Sequence, residues 1–264
     1  YDLYTFRGDD GGTLVVASFA VRAGDLEAED RGRGVRYRFD VSLVLADTLL
    51  QTVARTDDSV YVAAPRSLPD DHLLFTHVEM AAAPSSHTVH RVVMTDAATP
   101  GVGQLYDSIF PIRDYTGDTL MLSDIALGQP GARSGWRRDD ATLALLPTSQ
   151  FPSSSFDVYY EIYNLPYGRR YTTEVLVEPL EEDGRGGAGE DRAVGLRFVG
   201  DSDARWDGTL PELRHVQAAL ARGRYRLTVT VTDAETERSA SRTRTFQVRG
   251  WEPGATMVPA LPRG

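Results

Sequence analysis

The residues able to do chemistry are few and scattered. There are five histidines: His72, His77, His87, His90 and His215. Two ligands on an extended strand share a face only when an even number of residues separates them. His72 and His77 differ by five and His87 and His90 by three, so each pair splits across two faces. A catalytic zinc needs three convergent protein ligands, and this pattern predicts no metal site. Asp201, Asp203 and Asp207-Gly208 have the composition of a calcium loop. Arg205 falls on a ligand position, however, and Glu212 follows Pro211, so the stretch reads as a solvated acidic turn.

Nucleophiles fare no better. Gly200-Asp201-Ser202-Asp203-Ala204 lacks the second glycine of a Gly-x-Ser-x-Gly elbow, and no strand–turn–helix unit surrounds it. Gly131-Ala132-Arg133-Ser134-Gly135 has the wrong spacing. The acid clusters Asp57-Asp58, Asp70-Asp71, Asp139-Asp140 and Glu181-Glu182-Asp183 stand in turn-like sequence, where carboxylates point outward and stay ionised. A general acid needs one of its pair in an apolar cleft. The Gly-rich stretch 184–189 opens no helix and so makes no phosphate cradle. With no cysteine, thiolate catalysis, disulfides and zinc–sulfur sites are all excluded. The expectation is a protein that is not an enzyme and carries no cofactor.

Binding residues are more abundant. Twelve tyrosines and three tryptophans accompany 28 basic residues, all arginine. Arginine offers a planar fork for carboxylates and stacks on aromatic rings, and it is enriched in protein interfaces. The expected interface set is Tyr1, Tyr4, Phe6, Trp136, Arg137, Arg138, Tyr159, Tyr163, Tyr167, Arg169 and Trp251. Tyr159 and Tyr163 fall outside the inward register of their strand, and Tyr167 lies in the turn after it. The competing reading puts most of these aromatics at a sheet edge or a domain junction. A net charge of −10 disfavours nucleic acid. No apolar run approaches the ~20 residues needed to cross a bilayer as a helix.

These residues sit on a framework of short alternating runs separated by turns, the pattern of antiparallel strands. Expected strands are 13–21, 37–45, 59–63, 73–80, 88–95, 105–111 and 120–127, then 143–146, 156–163, 171–177, 194–199, 224–233 and 242–249. Thr56-Asp57-Asp58 reads as a turn, 181–192 as a hairpin loop and Leu210–Ala221 as the one short helix. The fold class is therefore all-β: two tandem immunoglobulin-like antiparallel β-sandwich domains over residues 1–130 and 131–250, with an extended tail over 251–264. No basic and then apolar leader opens the sequence at Tyr1, which is compatible with a processed extracytoplasmic chain.

Phe156-Asp157-Val158-Tyr159-Tyr160-Glu161-Ile162-Tyr163-Asn164-Leu165, followed by Gly168 and Tyr171, resembles the C-terminal β-sandwich region of GWxTD-type bacterial envelope proteins. The segments 120–127, 222–233 and 242–248 agree, and the resemblance covers roughly 35–249. The Gly-Trp-x-Thr-Asp motif itself is absent, since Gly135-Trp136 and Gly250-Trp251 continue differently. The resemblance implies a sandwich fold and a periplasmic or extracytoplasmic place, and imports no catalytic residue. The expected role is an accessory subunit docking on other protein subunits of an integral-membrane complex. Soluble β-sandwich subunits of this kind sit on the periplasmic face of some photosynthetic reaction centre–light-harvesting assemblies, an association that no motif here carries. The alternative role is a carbohydrate- or cell-wall-binding module with a Tyr/Trp platform at Trp136 or Tyr163.

Overall fold

A computed structural model of the chain describes residues 1–99, 103–129, 135–145, 155–180, 193–218, 220–248 and 258–259. Its first strands are β1 (Asp2–Arg7), β2 (Thr13–Arg22), β3 (Glu29–Asp30), β4 (Val35–Ala46), β5 (Thr52–Ala64), β6 (Leu73–Ala82), β7 (Ser85–Asp96) and β8 (Gly103–Ile112). Then follow β9 (Met121–Leu122), β10 (Ala126–Gln129), β11 (Trp136–Arg138), β12 (Ala141–Leu145), β13 (Ser155–Tyr163), β14 (Arg170–Pro179), β15 (Val194–Asp201), β16 (Thr209–Gln217), β17 (Gly223–Asp233), β18 (Ser239–Val248) and the two-residue β19 (Val258–Pro259).

The strands form four sheets that make two immunoglobulin-like sandwiches. Sheet I runs β5-β4-β7-β8, with β3 on the end of β4; sheet II runs β1-β2-β6-β19, the last pair parallel. Sheet III runs β11-β12-β10-β13-β16, with β9 beside β13; sheet IV runs β15-β14-β17-β18. Every pairing among β1 to β18 is antiparallel.

Sheets I and II enclose one core, with Phe19, Phe39, Leu43 and Val92 at its centre. Sheets III and IV enclose another around Phe156, Tyr160, Val175 and Val229. A third apolar cluster joins the two sandwiches. Tyr4, Phe6 and Val16 of sheet II meet Ala126, Trp136, Leu143 and Tyr159 of sheet III. The sheets therefore stack in the order I, II, III, IV. The two inner sheets carry strands buried on both faces, and the two outer sheets turn one face to water.

Several expectations change. Leu210–Ala221 is not a helix: Thr209–Gln217 is strand β16, paired along its length with β13. Its inward residues are Leu210, Glu212 and Val216, and the polar Glu212 hid the period-two alternation. Pro211 is tolerated because β16 is an edge strand of sheet III, where a missing donor breaks no ladder. Thr56-Asp57-Asp58 is not a turn but the middle of β5. That strand is the edge of sheet I, and charge on an edge strand blocks pairing with other chains. Residues 121–122 and 126–127, expected in the first set of strands, pair with β13 in sheet III. Tyr4 and Phe6 lie in β1, paired along β2. The 181–192 loop lies outside the described residues, as does all of the 251–264 tail except β19.

Candidate functional site

Five of the eleven expected interface residues are interior. Tyr4, Phe6, Tyr159 and Tyr163 have no exposed surface and Trp136 has 1%. Phe6 stacks on Trp136 at 5.1 Å between centroids, and Trp136 meets Tyr159 edge-on at 5.4 Å. The expectation of outward aromatics fails here because β13 has no wet face. Its even residues fill the core of the second sandwich, while Tyr159, Glu161 and Tyr163 fill the seam against sheet II.

That seam is closed by a buried polar network around Glu161, itself fully buried. Arg138 Nε donates to Glu161 Oε1 at 2.7 Å. The Tyr159 hydroxyl donates to the same oxygen at 2.8 Å, and the Tyr163 hydroxyl donates to Oε2 at 2.6 Å. Tyr163 in turn accepts the Arg7 N–H at 2.7 Å, and Arg138 donates to the Arg7 carbonyl at 2.7 Å. The Arg7 guanidinium lies 4.3 Å from the centre of the Tyr163 ring. Both tyrosine hydroxyls are held well above their ordinary pKa, first by burial and then by the Glu161 charge. Each charge in the network has partners, the condition under which a buried ion pair is tolerated. The motif Tyr-x-Glu-x-Tyr thus clamps two sandwiches rather than presenting a ligand site.

The remaining expected residues divide. Tyr1 is half-buried, its hydroxyl 2.8 Å from His90 Nε2. Arg137 is exposed. Arg169 is half-buried and ion-paired with Glu235. Tyr167 is 82% exposed. Trp251 lies outside the described residues.

The sequence reading missed a second exposed aromatic, on the loop hydrogen-bonded to that of Tyr167. Trp206 is 99% exposed. Both rings stand on turns within the loops 164–169 and 202–208, whose backbones are hydrogen-bonded to each other. Pro166 to Arg169 closes through Arg169 N–H to Pro166 O at 3.1 Å, with Gly168 at φ +73° as the second central residue requires. Arg205 to Gly208 closes through Gly208 N–H to Arg205 O at 2.9 Å, with Gly208 at φ +75°. Gly168 donates to Ser202 O at 2.7 Å and Asn164 donates to Gly208 O at 2.9 Å, so the two loops form one rim. Arg205 pairs with Asp139, which ties the rim to the loop after β11. The signal available in the sequence was a tryptophan inside the polar turn Arg205-Trp206-Asp207-Gly208, where no core position exists.

A second exposed apolar feature lies on the first sandwich. The hairpin between β4 and β5 presents Leu49, Leu50 and Val53 at 76%, 63% and 62% exposure. Ile109 is 70% exposed on β8, and register places it in one row with Val89 and Ala46 at that end of sheet I. Leu50 has φ +61°, a conformation that costs a branched residue about 1–2 kcal/mol.

Ser155, His215 and Asp157 form a chain: Ser155 Oγ is 3.2 Å from His215 Nε2, and His215 Nδ1 is 2.9 Å from Asp157 Oδ1. The order is that of a hydrolytic relay. Ser155 is nonetheless in regular pairing with Gln217, and Asp157 is directly opposite His215. These are cross-strand neighbours on one sheet face, without the sharp turn that lifts a nucleophile clear of its sheet. Among the described residues, no group of three or more His, Cys, Asp or Glu converges as metal ligands would.

No family model and no curated protein matches the chain. Solved proteins similar to it at low identity include the following three. One is a transglutaminase of red sea bream (12% identity, TM-score 0.28, 94% of this chain and 31% of that one). Another is a β-glucuronidase of Bacteroides uniformis (8%, TM-score 0.30, 90% and 26%). The third is the α-2-macroglobulin of E. coli (12%, TM-score 0.28, 92% and 14%). The chain spans less than a third of each. Superpositions this loose say nothing about chemistry.

Proposed function

We propose that the chain is a non-enzymatic, extracytoplasmic docking subunit of a membrane protein complex, and that it binds a protein partner through the Tyr167–Trp206 rim. The carrying observation is the pair of aromatic rings at 82% and 99% exposure on two loops hydrogen-bonded to each other. Tryptophan, tyrosine and arginine dominate the energetics of protein interfaces, and all three stand on this rim. A side chain already held by its turn loses little freedom on binding. The clamped seam between the sandwiches supports the same reading, because it presents the rim from a stiff body. A stable interface here would bury ~1,200 Å² or more. One candidate partner is an assembly of the reaction centre–light-harvesting kind.

The test is native-gel separation of gently solubilised source membranes, with mass spectrometry locating the chain. Co-migration with a large integral-membrane assembly, lost on W206A/Y167A, is the expected result. Migration alone near 29.0 kDa would overturn the reading. The same two rings favour a second reading, a glycan platform relocated from the buried Trp136 and Tyr163. Binding on a glycan array that W206A abolishes would select it.

A further inference from the structure

We propose that the β4–β5 hairpin is a lipid-surface anchor that seats Leu49, Leu50 and Val53 in the outer boundary of a bilayer. The backbone makes this possible. A peptide group entering lipid must already be hydrogen-bonded. Asp47 N–H donates to Gln51 O and Leu50 N–H to Asp47 O, both at 3.0 Å. The Asp47 carboxylate accepts the N–H groups of Leu49 and Gln51, each at 2.9 Å. The turn itself satisfies those four donors, and the Asp47 carboxylate that accepts two of them keeps the base of the turn at headgroup depth, so that only the apolar side chains enter the boundary.

Composition separates lipid from protein as the occupant. Leucine and valine are under-represented among interface hot spots, where tryptophan, tyrosine and arginine prevail. The rim of the second sandwich has the second composition and this tip has the first. Aliphatic side chains that need no directional partner suit hydrocarbon. The row of Ile109, Val89 and Ala46 continues the apolar surface behind the tip.

Electrostatics selects the lipid class. From Asp47 to Ala54 the chain carries no cation, and Arg55 is engaged by Asp57 at 2.8 Å. With a net charge of −10, an anionic leaflet would repel the molecule, so the surface is zwitterionic and penetration is shallow, ~5–10 Å. Leu50 in the left-handed region fits this use. A glycine would fill the turn without strain, and it would leave nothing to insert.

This inference does not rest on the rim reading, since protein-free vesicles suffice to test it. The chain lacks cysteine, so T48C and the control S241C each give a single site for an environment-sensitive fluorophore. With phosphatidylcholine vesicles, the label at position 48 should brighten, shift to the blue and be quenched by shallow nitroxide lipids. The label at 241 should not respond. L49S/L50S in the T48C background should lower the partition coefficient at least ~tenfold. L50G should lower partition while raising Tm, an effect that damage to the fold would not produce. Phosphatidylglycerol should weaken binding. No response at 48, equal responses at 48 and 241, or a response only when a solubilised membrane complex is added would each overturn the proposal. The last outcome would assign the tip to a protein pocket and leave the rim reading standing.

Discussion

Strands β13 and β17 carry the same kind of pattern and live in different surroundings. In β17, Tyr225, Leu227, Val229 and Val231 point inward. Thr228, Thr230 and Thr232 form an outer ladder with Thr243, Ser241 and Ser239. In β13, Phe156, Val158, Tyr160 and Ile162 point into a core, yet Asp157, Tyr159, Glu161 and Tyr163 are buried as well. Alternation therefore separates the two faces of a strand without saying that one of them is wet. A face alternating tyrosines with carboxylates at matching spacing is one that another sheet can cover.

Changes in the two strands should behave differently, and the largest effects belong to the seam. R138A leaves the Glu161 charge buried without its ionic partner and should cost about 3–5 kcal/mol in urea unfolding. The double change R138M/E161M should cost less than R138A alone, because it removes both charges together. A cost equal to or greater than that of R138A would show that the seam depends on the ion pair itself.

W136A should cost about 3–5 kcal/mol through a cavity between sheets II and III. Unfolding of W136A that splits into two transitions would show that this cluster makes the sandwiches one cooperative unit.

Alkaline pH should act on the same seam. Unfolded tyrosine ionises near pH 10, whereas Tyr159 and Tyr163 in the fold keep their protons to higher pH. The folded state binds the more protons, so this stability is complete below pH 10 and falls as pH rises beyond it. The urea midpoint measured from pH 8 to 11 should decline, and Y159F/Y163F should flatten the decline. Y159F alone should cost about 1–2 kcal/mol for one lost charged hydrogen bond.

At the small end, T230A on β17 and W206A on the rim should each change stability by less than about 0.5 kcal/mol. For W206A, the change should instead appear as a loss of partner binding of roughly thirtyfold or more. A W206A variant that unfolds would show that the ring is structural.

Most strands were legible because burying one face of a sheet enforces alternation, as in β4, β7, β14 and β17. β16 was not, because Glu212 takes an inward position and Leu210 and Leu213 imitate helical spacing. Its inward carboxylate becomes intelligible once Tyr171 donates to it and Arg214 pairs with it. The interface set was read from residue type, and type alone does not separate an aromatic buried at a seam from one on a rim. Tyr159 and Tyr163 went inside and Tyr167 stayed out, although all three belong to one short segment.

By itself, the sequence determined the all-β class, most strand positions and the two sandwiches, because period and turn chemistry are local properties of the chain. Tertiary structure alone decided which faces are double-buried, how Arg7, Arg138 and Glu161 meet, and that Trp206 and the Leu49–Leu50 tip remain uncovered. Each of those depends on which sheet lies against which, a contact between residues far apart in sequence that no local pattern encodes.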